Sequence, residues 1–241
     1  MYVECGSTRL LFDAGVSGLQ AERRLERAGR DIRRVSAVLI SHDHRDHIGC
    51  AGVYARKFQL PIHATAATFD AAGRRMDLGR IDELHTFTPG QTLDFGDLAV
   101  ETVPTPHDGA DGVAFVVTDG RRRVGILTDL GHVFDGLGQT ISTLDGVFLE
   151  SNYDDEMLRT GPYPWELQQR IRGPRGHISY RESADLLRTA AGPSMQWAVL
   201  SHLSEQNNHP HLAMETHREI VSSSLPLHIA SRYEVGEILS V

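Results

Sequence analysis

Residues 41–47 read Ser-His-Asp-His-Arg-Asp-His and follow directly on the apolar run Val35-Ser-Ala-Val-Leu-Ile40. Three histidines and two aspartates within six consecutive positions are a heavy load of metal-competent side chains for one strand end. This constrains the fold before anything else does. Val38, Leu39 and Ile40 must be buried as a strand that releases the polar cluster at its tip, a usual place for a site in α/β architecture. Side chains alternate faces along an extended segment, so His42, His44 and Asp46 are expected on one side, with His47 opening a turn. The small, apolar stretch Ile48-Gly-Cys-Ala-Gly-Val-Tyr-Ala55 then reads as a packed helix. Imidazole and carboxylate together suit zinc, manganese or iron. A lone histidine in such a place is more often solvated, but a cluster of this density is a ligand set.

With 241 residues and no serine- or glycine-rich tract, charge block or repeat, the chain reads as one domain over 1–241. Its two cysteines, Cys5 and Cys50, make no disulfide framework, and Cys50 reads as packing. No apolar stretch approaches the ~18–20 residues of a membrane span, and the N-terminus lacks a signal peptide's apolar core. A cytoplasmic protein with no membrane contact is expected. The net charge of −8 argues against a protein that coats nucleic acid non-specifically. Two divalent ions change that balance locally. The segment from Gln168 to Arg181 carries four arginines and no acid, so local recognition of an anionic substrate stays open.

The chain alternates strand and helix. Tyr2–Cys5 and Arg9–Phe12 read as a hairpin about Gly6-Ser7, and Ser17 caps a helix to about Gly29. Pro61–His63 is a short strand, with a helix from Thr65 through Ala72. The pattern is β-rich from Leu84 to Leu127. Val147–Glu150, Trp197–Ser201 and Leu227–Ile229 are strands, and Ser179–Ala191 and Pro210–Val221 are helices. Two β-rich halves with outer helices predict two sheets packed face to face.

Three later apolar runs also end in ligand types: Val100–His107, Arg123–Asp129 and Trp197–His202. Singly these are incidental strand ends. Together with the first cluster they supply the seven groups that two ions need if one carboxylate bridges them.

His42-Asp43-His44-Arg45-Asp46-His47 resembles the HxHxDH signature of the metallo-β-lactamase superfamily, with His107, Asp129 and His202 at its later ligand positions. More narrowly the chain resembles the bacterial YycJ/WalJ group. Tyr54-Ala-Arg-Lys57, Leu127–Gly131, Leu149–Asp154, Gly161-Pro-Tyr-Pro-Trp165, Gly176–Ser179 and Ser201–Asn208 carry that resemblance over nearly the whole chain. It implies an α/β fold, the four-layer αββα sandwich of two mixed sheets with helices on both outer faces. It also implies a cleft holding two divalent ions, Zn2+ or Mn2+. By this analogy His42, His44 and His107 bind one ion, Asp46, His47 and His202 the other, and Asp129 bridges. Asp46 and Asp129 then count as catalytic as well as metal-binding. The group's implied activity is that of a DNA exonuclease linked to DNA repair, with DNA favoured over RNA. Two departures stand out. Related sequences usually carry histidine where Tyr153 stands, and the chain begins late in the fold's first hairpin, which implies residues upstream of Met1.

Two ions roughly 3.5–4 Å apart lower the pKa of a shared water, and the bridging hydroxide attacks phosphorus or a carbonyl carbon. A phosphodiester also needs its leaving alkoxide protonated. His177 is the candidate general acid, in a glycine-flanked loop inside the arginine-rich segment, a reading that rests mainly on resemblance. Glu150, at a strand end, is placed to orient that histidine or raise its pKa. Ser179, Arg175, Asn207 and Asn208 are the candidate substrate contacts, Ser179 through the helix N-terminus that it caps. Asp13 is expected at a turn or behind a ligand. His63, His85, His217 and His228 lack ligand companions, and His132 is expected to start a helix. The competing readings are a hydrolase of small thioesters, lactones or cyclic phosphodiesters on the same metals, a one-iron dioxygenase, and a metal-stabilised scaffold without activity.

Overall fold

Short, buried parallel strands need crossover helices between them, and the computed structural model, which describes residues 1–221 and 224–241, follows that rule. It divides into two compact units, Met1–Pro104 with Gly109–Phe115, and Thr105–Asp108 with Val116–Val241. The strands form a five-stranded sheet, ordered β1-β2-β3-β4-β5, and a seven-stranded sheet, ordered β12-β11-β10-β9-β8-β7-β6.

In the first unit β1 (Tyr2–Cys5) and β2 (Thr8–Phe12) form the expected antiparallel hairpin. β3 (Ala37–Leu39), β4 (Ile62–Thr65) and β5 (Leu84–Phe87) then add in parallel. The connecting helices are α1 (Gly18–Arg27), α2 (Arg45–Ile48), α3 (Ala51–Phe58) and α4 (Ala66–Arg75). Ser17 closes a capping box with Gln20 at the start of α1, and Thr65 caps α4. β6 (Thr92–Asp94) and β7 (Ala99–Pro104) form a second hairpin, and β8 (Val113–Thr118) follows. Leu11, Val38, Ile40, Ile48, Tyr54 and Ile62 lie in one buried cluster. The Phe12 ring packs 5.0 Å from that of Phe115.

The expected extended run through Asp46, with a helix from Ile48, is corrected here. Extension ends at His44, which stands as N-cap, and Arg45–Ile48 is already helical. A separate helix α3 begins at Ala51. The 13–15 turn is the cause: Ala14 N–H donates to His47 O at 2.6 Å, and Cys50 N–H donates to Ala14 O at 2.8 Å. Gly15 fits only because it lacks a side chain, since a Cβ there would sit 1.5 Å from the Asp46 carbonyl oxygen. Backbone bonding to the turn thus outweighs strand continuation.

In the second unit β9 (Arg123–Leu127), β10 (Gly146–Glu150), β11 (Trp197–Ser201) and β12 (Leu227–Ile229) are parallel. Ile126, Leu127, Val147, Leu149, Ala198 and Leu200 are buried, which is why these strands read as unbroken apolar runs. The helices are α5 (Leu137–Ser142), α6 (Asp155–Thr160), α7 (Trp165–Arg172), α8 (Tyr180–Ala190) and α9 (Pro210–Ile220). Ser179 closes a capping box with Glu182 at the start of α8. α5, α6 and α7 carry too few buried residues to leave a periodic stripe, and α7 buries none. No helix starts at His132. Its Nδ1 instead donates to Pro174 O at 2.7 Å. Among the described residues, no helix is long and apolar enough to cross a membrane.

Candidate functional site

In the first unit the strand tip after β3 gathers its imidazoles in one place. His42 Nε2 lies 2.9 Å from His44 Nδ1, and the His42 and His47 rings stand 4.2 Å apart. Two donor nitrogens so close approach the edge of ~3.3 Å that two ligands with ~2 Å bonds subtend at a tetrahedral ion. The backbone side of the His42 and His47 rings is held by the protein. Ser41 Oγ bonds His42 Nδ1 at 2.9 Å, and Asp13 Oδ2 accepts from His47 Nδ1 at 2.8 Å. That turns Nε2 of His42 and of His47 toward the cluster, an arrangement in which histidine serves metals, while His44 presents Nδ1. Asp13 holds φ +65 while its Oδ1 accepts from Ser41 N–H at 2.8 Å, so it braces the cluster from behind as expected. Burial opposes its charge, but His47 and the Ser41 amide outweigh this and lower its pKa. Asp46 is different. Its side chain is 74% exposed and its Oδ2 lies 3.7 Å from His47 Nε2.

In the second unit the ends of β9, β10 and β11 converge on the Asp129 carboxylate. Asp129 Oδ1 lies 3.7 Å from His107 Nε2, 3.5 Å from His202 Nε2 and 3.8 Å from His177 Nδ1. Here too Nδ1 is occupied. His107 Nδ1 donates to Gly176 O at 2.7 Å, and His202 Nδ1 lies 3.2 Å from Glu150 Oε1. Asp129, Glu150, His177 and His202 each offer a ligand-type atom, and all four lie within 4.8 Å of one another. Asp129 and His202 both adopt left-handed backbone, φ +58 and +57, where non-glycine residues are uncommon. Such strain collects at functional sites, where the surroundings hold it in place. Gly131, φ +72, lets the chain pass close behind: a Cβ there would lie 2.9 Å from Pro174 O and 3.0 Å from His107 N.

His177 Nδ1 donates to Glu150 Oε1 at 2.7 Å, and Glu150 is fully buried. Burial alone lowers the histidine's pKa, but the carboxylates of Glu150, Asp129 and Asp108 prevail and raise it to about 9. Glu150 moves the opposite way: burial raises its pKa, and His177 and His202 pull it down further than burial lifts it. Its second oxygen accepts from Leu130 N–H at 3.0 Å, which fixes the carboxylate. The Glu150 carboxylate thus anchors the ring through Nδ1 and leaves Nε2 as the nitrogen that can exchange a proton.

The candidate substrate residues separate by exposure. Arg175 is exposed, and its backbone oxygen accepts from Asp108 N–H at 3.1 Å. Ser179 is buried with its hydroxyl engaged to Glu182. Asn207 and Asn208 are buried, and Asn208 Nδ2 donates to the Ser151 and Asn152 carbonyls at 2.7 and 2.8 Å, which ties the chain beyond β10 to the loop after His202. Tyr153 is buried and forms a backbone bridge with Ser179.

Several supporting contacts carry no sequence signal. Asp43 is wholly buried; it accepts from Ala110 N–H at 2.7 Å and from Arg75 at 2.6 Å. Asn152 Nδ2 donates to His202 O at 2.8 Å, holding that strained residue. Asp108 accepts from Arg170 at 2.6 Å. Each partner lies far along the chain, so only the fold reveals it.

Residues 8–203 match the family model of the beta-lactamase superfamily domain. The chain belongs to the metallo-β-lactamase superfamily. Within it, the chain falls in the YycJ/WalJ-like group. It is 34% identical to the exodeoxyribonuclease YycJ of Bacillus anthracis over 88% of its own length and 81% of that protein. It is 35% identical to the exodeoxyribonuclease WalJ of Streptococcus pneumoniae serotype 2 (strain D39 / NCTC 7466), over 89% and 81%. Among solved structures, YhfI of Bacillus subtilis, a metallo-beta-lactamase fold protein, superposes with a TM-score of 0.74 at 21% identity, covering 98% of this chain and 90% of YhfI. Zn2+-bound PqqB of Methylobacterium extorquens superposes with a TM-score of 0.71 at 18% identity, covering 100% and 85%. The two mixed sheets with their helices are the metallo-β-lactamase fold, and the histidine and aspartate clusters are those of a metal-dependent hydrolase.

Proposed function

We propose that this chain is a two-metal-dependent phosphodiesterase that degrades DNA, an exonuclease like its YycJ and WalJ relatives. The observation that carries the reading is the contact of His177 with Glu150 beside Asp129, His177 itself lying in a segment rich in arginine. A thioester expels a thiolate that is stable without a proton, whereas a phosphodiester expels an alkoxide that needs one. A histidine anchored through Nδ1 on a buried carboxylate is placed to supply one from Nε2.

The residues of the two units act together as a single catalytic domain over 1–241. His42, His44 and His107 hold one ion, Asp46, His47 and His202 the other, and Asp129 serves both. The donor set fits zinc or manganese, with the imidazoles of His42, His47, His107 and His202 held at Nδ1 and carboxylates beside them. Bound divalent ions activate water near neutral pH and offset charge on a phosphate. The rest is done by side chains. Glu150 fixes the ring of His177, and His177 Nε2 delivers its proton to the departing oxygen. Arg175, exposed beside that loop, attracts the phosphate backbone.

The test is digestion of end-labelled duplex DNA by protein reconstituted with manganese or zinc. The wild type should shorten the duplex from its ends, and Asp129→Ala should abolish this. His177→Ala should keep its metal and lose turnover. A wild type inert on DNA and RNA that cleaves small thioesters or lactones would falsify the reading.

A further inference from the structure

The most exposed large apolar side chain among the described residues is Trp165, at 68%. It opens α7, a helix with no buried residue, so packing does not account for its presence. The segment around it is fastened by hydrogen bonds. Pro164 stands at the N-cap, Gln168 Nε2 donates to Tyr163 O at 2.9 Å, and Arg172 donates to both the backbone and the side chain of Asp155 at 3.0 Å. The far end of α7 is fastened beside His177. His177 N–H donates to Ile171 O at 2.9 Å, and Arg170 pairs with Asp108, the neighbour of His107.

We propose that Trp165 is a stacking platform for an unpaired base of a single DNA strand whose backbone runs along α7 toward His177. The inference rests on the nuclease reading above and adds to it the form of substrate gripped. Charge supports this occupant: Arg175, exposed in the loop that leads from α7 to His177, makes no side-chain hydrogen bond or ion pair among the described residues. Length supports it too. Eight helical residues span about 12 Å, the reach of three or four stacked nucleotides at ~3.4 Å each. An exposed indole on a pre-ordered turn costs little to immobilise, and every base presents a face to it regardless of sequence. The arrangement therefore suits an enzyme that must hold a strand of any sequence by its end.

The test uses metal-loaded full-length protein and a fluorescein-labelled oligo(dT) with a phosphorothioate backbone that resists cleavage. Trp197 is buried, with its indole N–H on Ser240 O, so a change in tryptophan emission reports on Trp165. Wild type should bind with quenching. Trp165→Ala should bind about 5- to 150-fold more weakly, the ~1–3 kcal/mol of one base–aromatic stack, and its KM for DNA should rise alongside. Trp165→Phe should recover most of the loss, which a merely structural role would not predict. Equal affinities for wild type and Trp165→Ala, without quenching, overturn the proposal. So does a wild-type dimer in sedimentation that Trp165→Ala dissolves without loss of DNA affinity, because the occupant is then a second copy. A wild type that binds through Trp165 yet degrades no DNA overturns the nuclease reading alone.

Discussion

His217 should make the protein acid-sensitive. It lies on α9, wholly buried; its Nδ1 donates to Ala213 O at 2.8 Å and its Nε2 faces Ser183 Oγ at 3.3 Å. Ser183 Oγ in turn bonds Ser151 Oγ at 2.9 Å, the residue after Glu150. A neutral imidazole satisfies both neighbours, whereas a second ring proton would need an acceptor in an apolar surrounding. Burial therefore lowers the pKa from 6.5 to about 4, with the Ala213 carbonyl opposing only in part. A histidine with a depressed folded pKa contributes stability that is complete above the unfolded value, near 6.5. That contribution is lost as pH falls toward 4, because the unfolded chain takes up the proton first. At 1.36 kcal/mol per unit the full loss is about 3 kcal/mol, most of it reached by pH 4.5. The assay is urea unfolding of metal-free wild type and His217→Gln at pH 7.5 and 4.5. Other acid-labile groups, the metal-site histidines included, enter both proteins alike and cancel. Wild type should lose about 2–3 kcal/mol more than the variant over that interval. Equal losses would refute the buried neutral ring.

Gly15→Ala should place a methyl against the Asp46 carbonyl and push α2 off the 13–15 turn. The cost is about 1–3 kcal/mol of overpacking, read as a drop of roughly 2–12 °C in Tm. Calorimetry would show it, and an unchanged Tm would count against the close approach. Glu150→Gln should leave His177 without its counter-charge and lower turnover on DNA by a factor of about 10²–10⁴, the range for losing general acid catalysis. Measured with metal content alongside, full activity in that variant would remove the ion pair from the chemistry.

Much of this architecture was legible because buried parallel strands are continuous apolar runs and caps are local. Ser17 and Ser179 bond residues three positions on, so both helix starts could be read directly. Ligand-type residues at the ends of β3, β9 and β11 were legible for the same reason: a charge that ends an apolar strand has few structural uses. The start of α2 at Arg45 was not, since it is set by bonds to Ala14 more than thirty residues away. α5, α6 and α7 were missed because so few of their residues face a core, and α7 has none. The Asp43–Arg75 pair and the Asn152 contact to His202 join distant stretches of chain and have no sequence pattern to find.

The two-ion reading is tested most directly by measuring DNA degradation as manganese is added to metal-free protein in known equivalents. Activity should stay low through the first equivalent, rise to its plateau at the second, and be absent at both in Asp129→Ala. A plateau already complete at one equivalent, or no degradation at two, would contradict it.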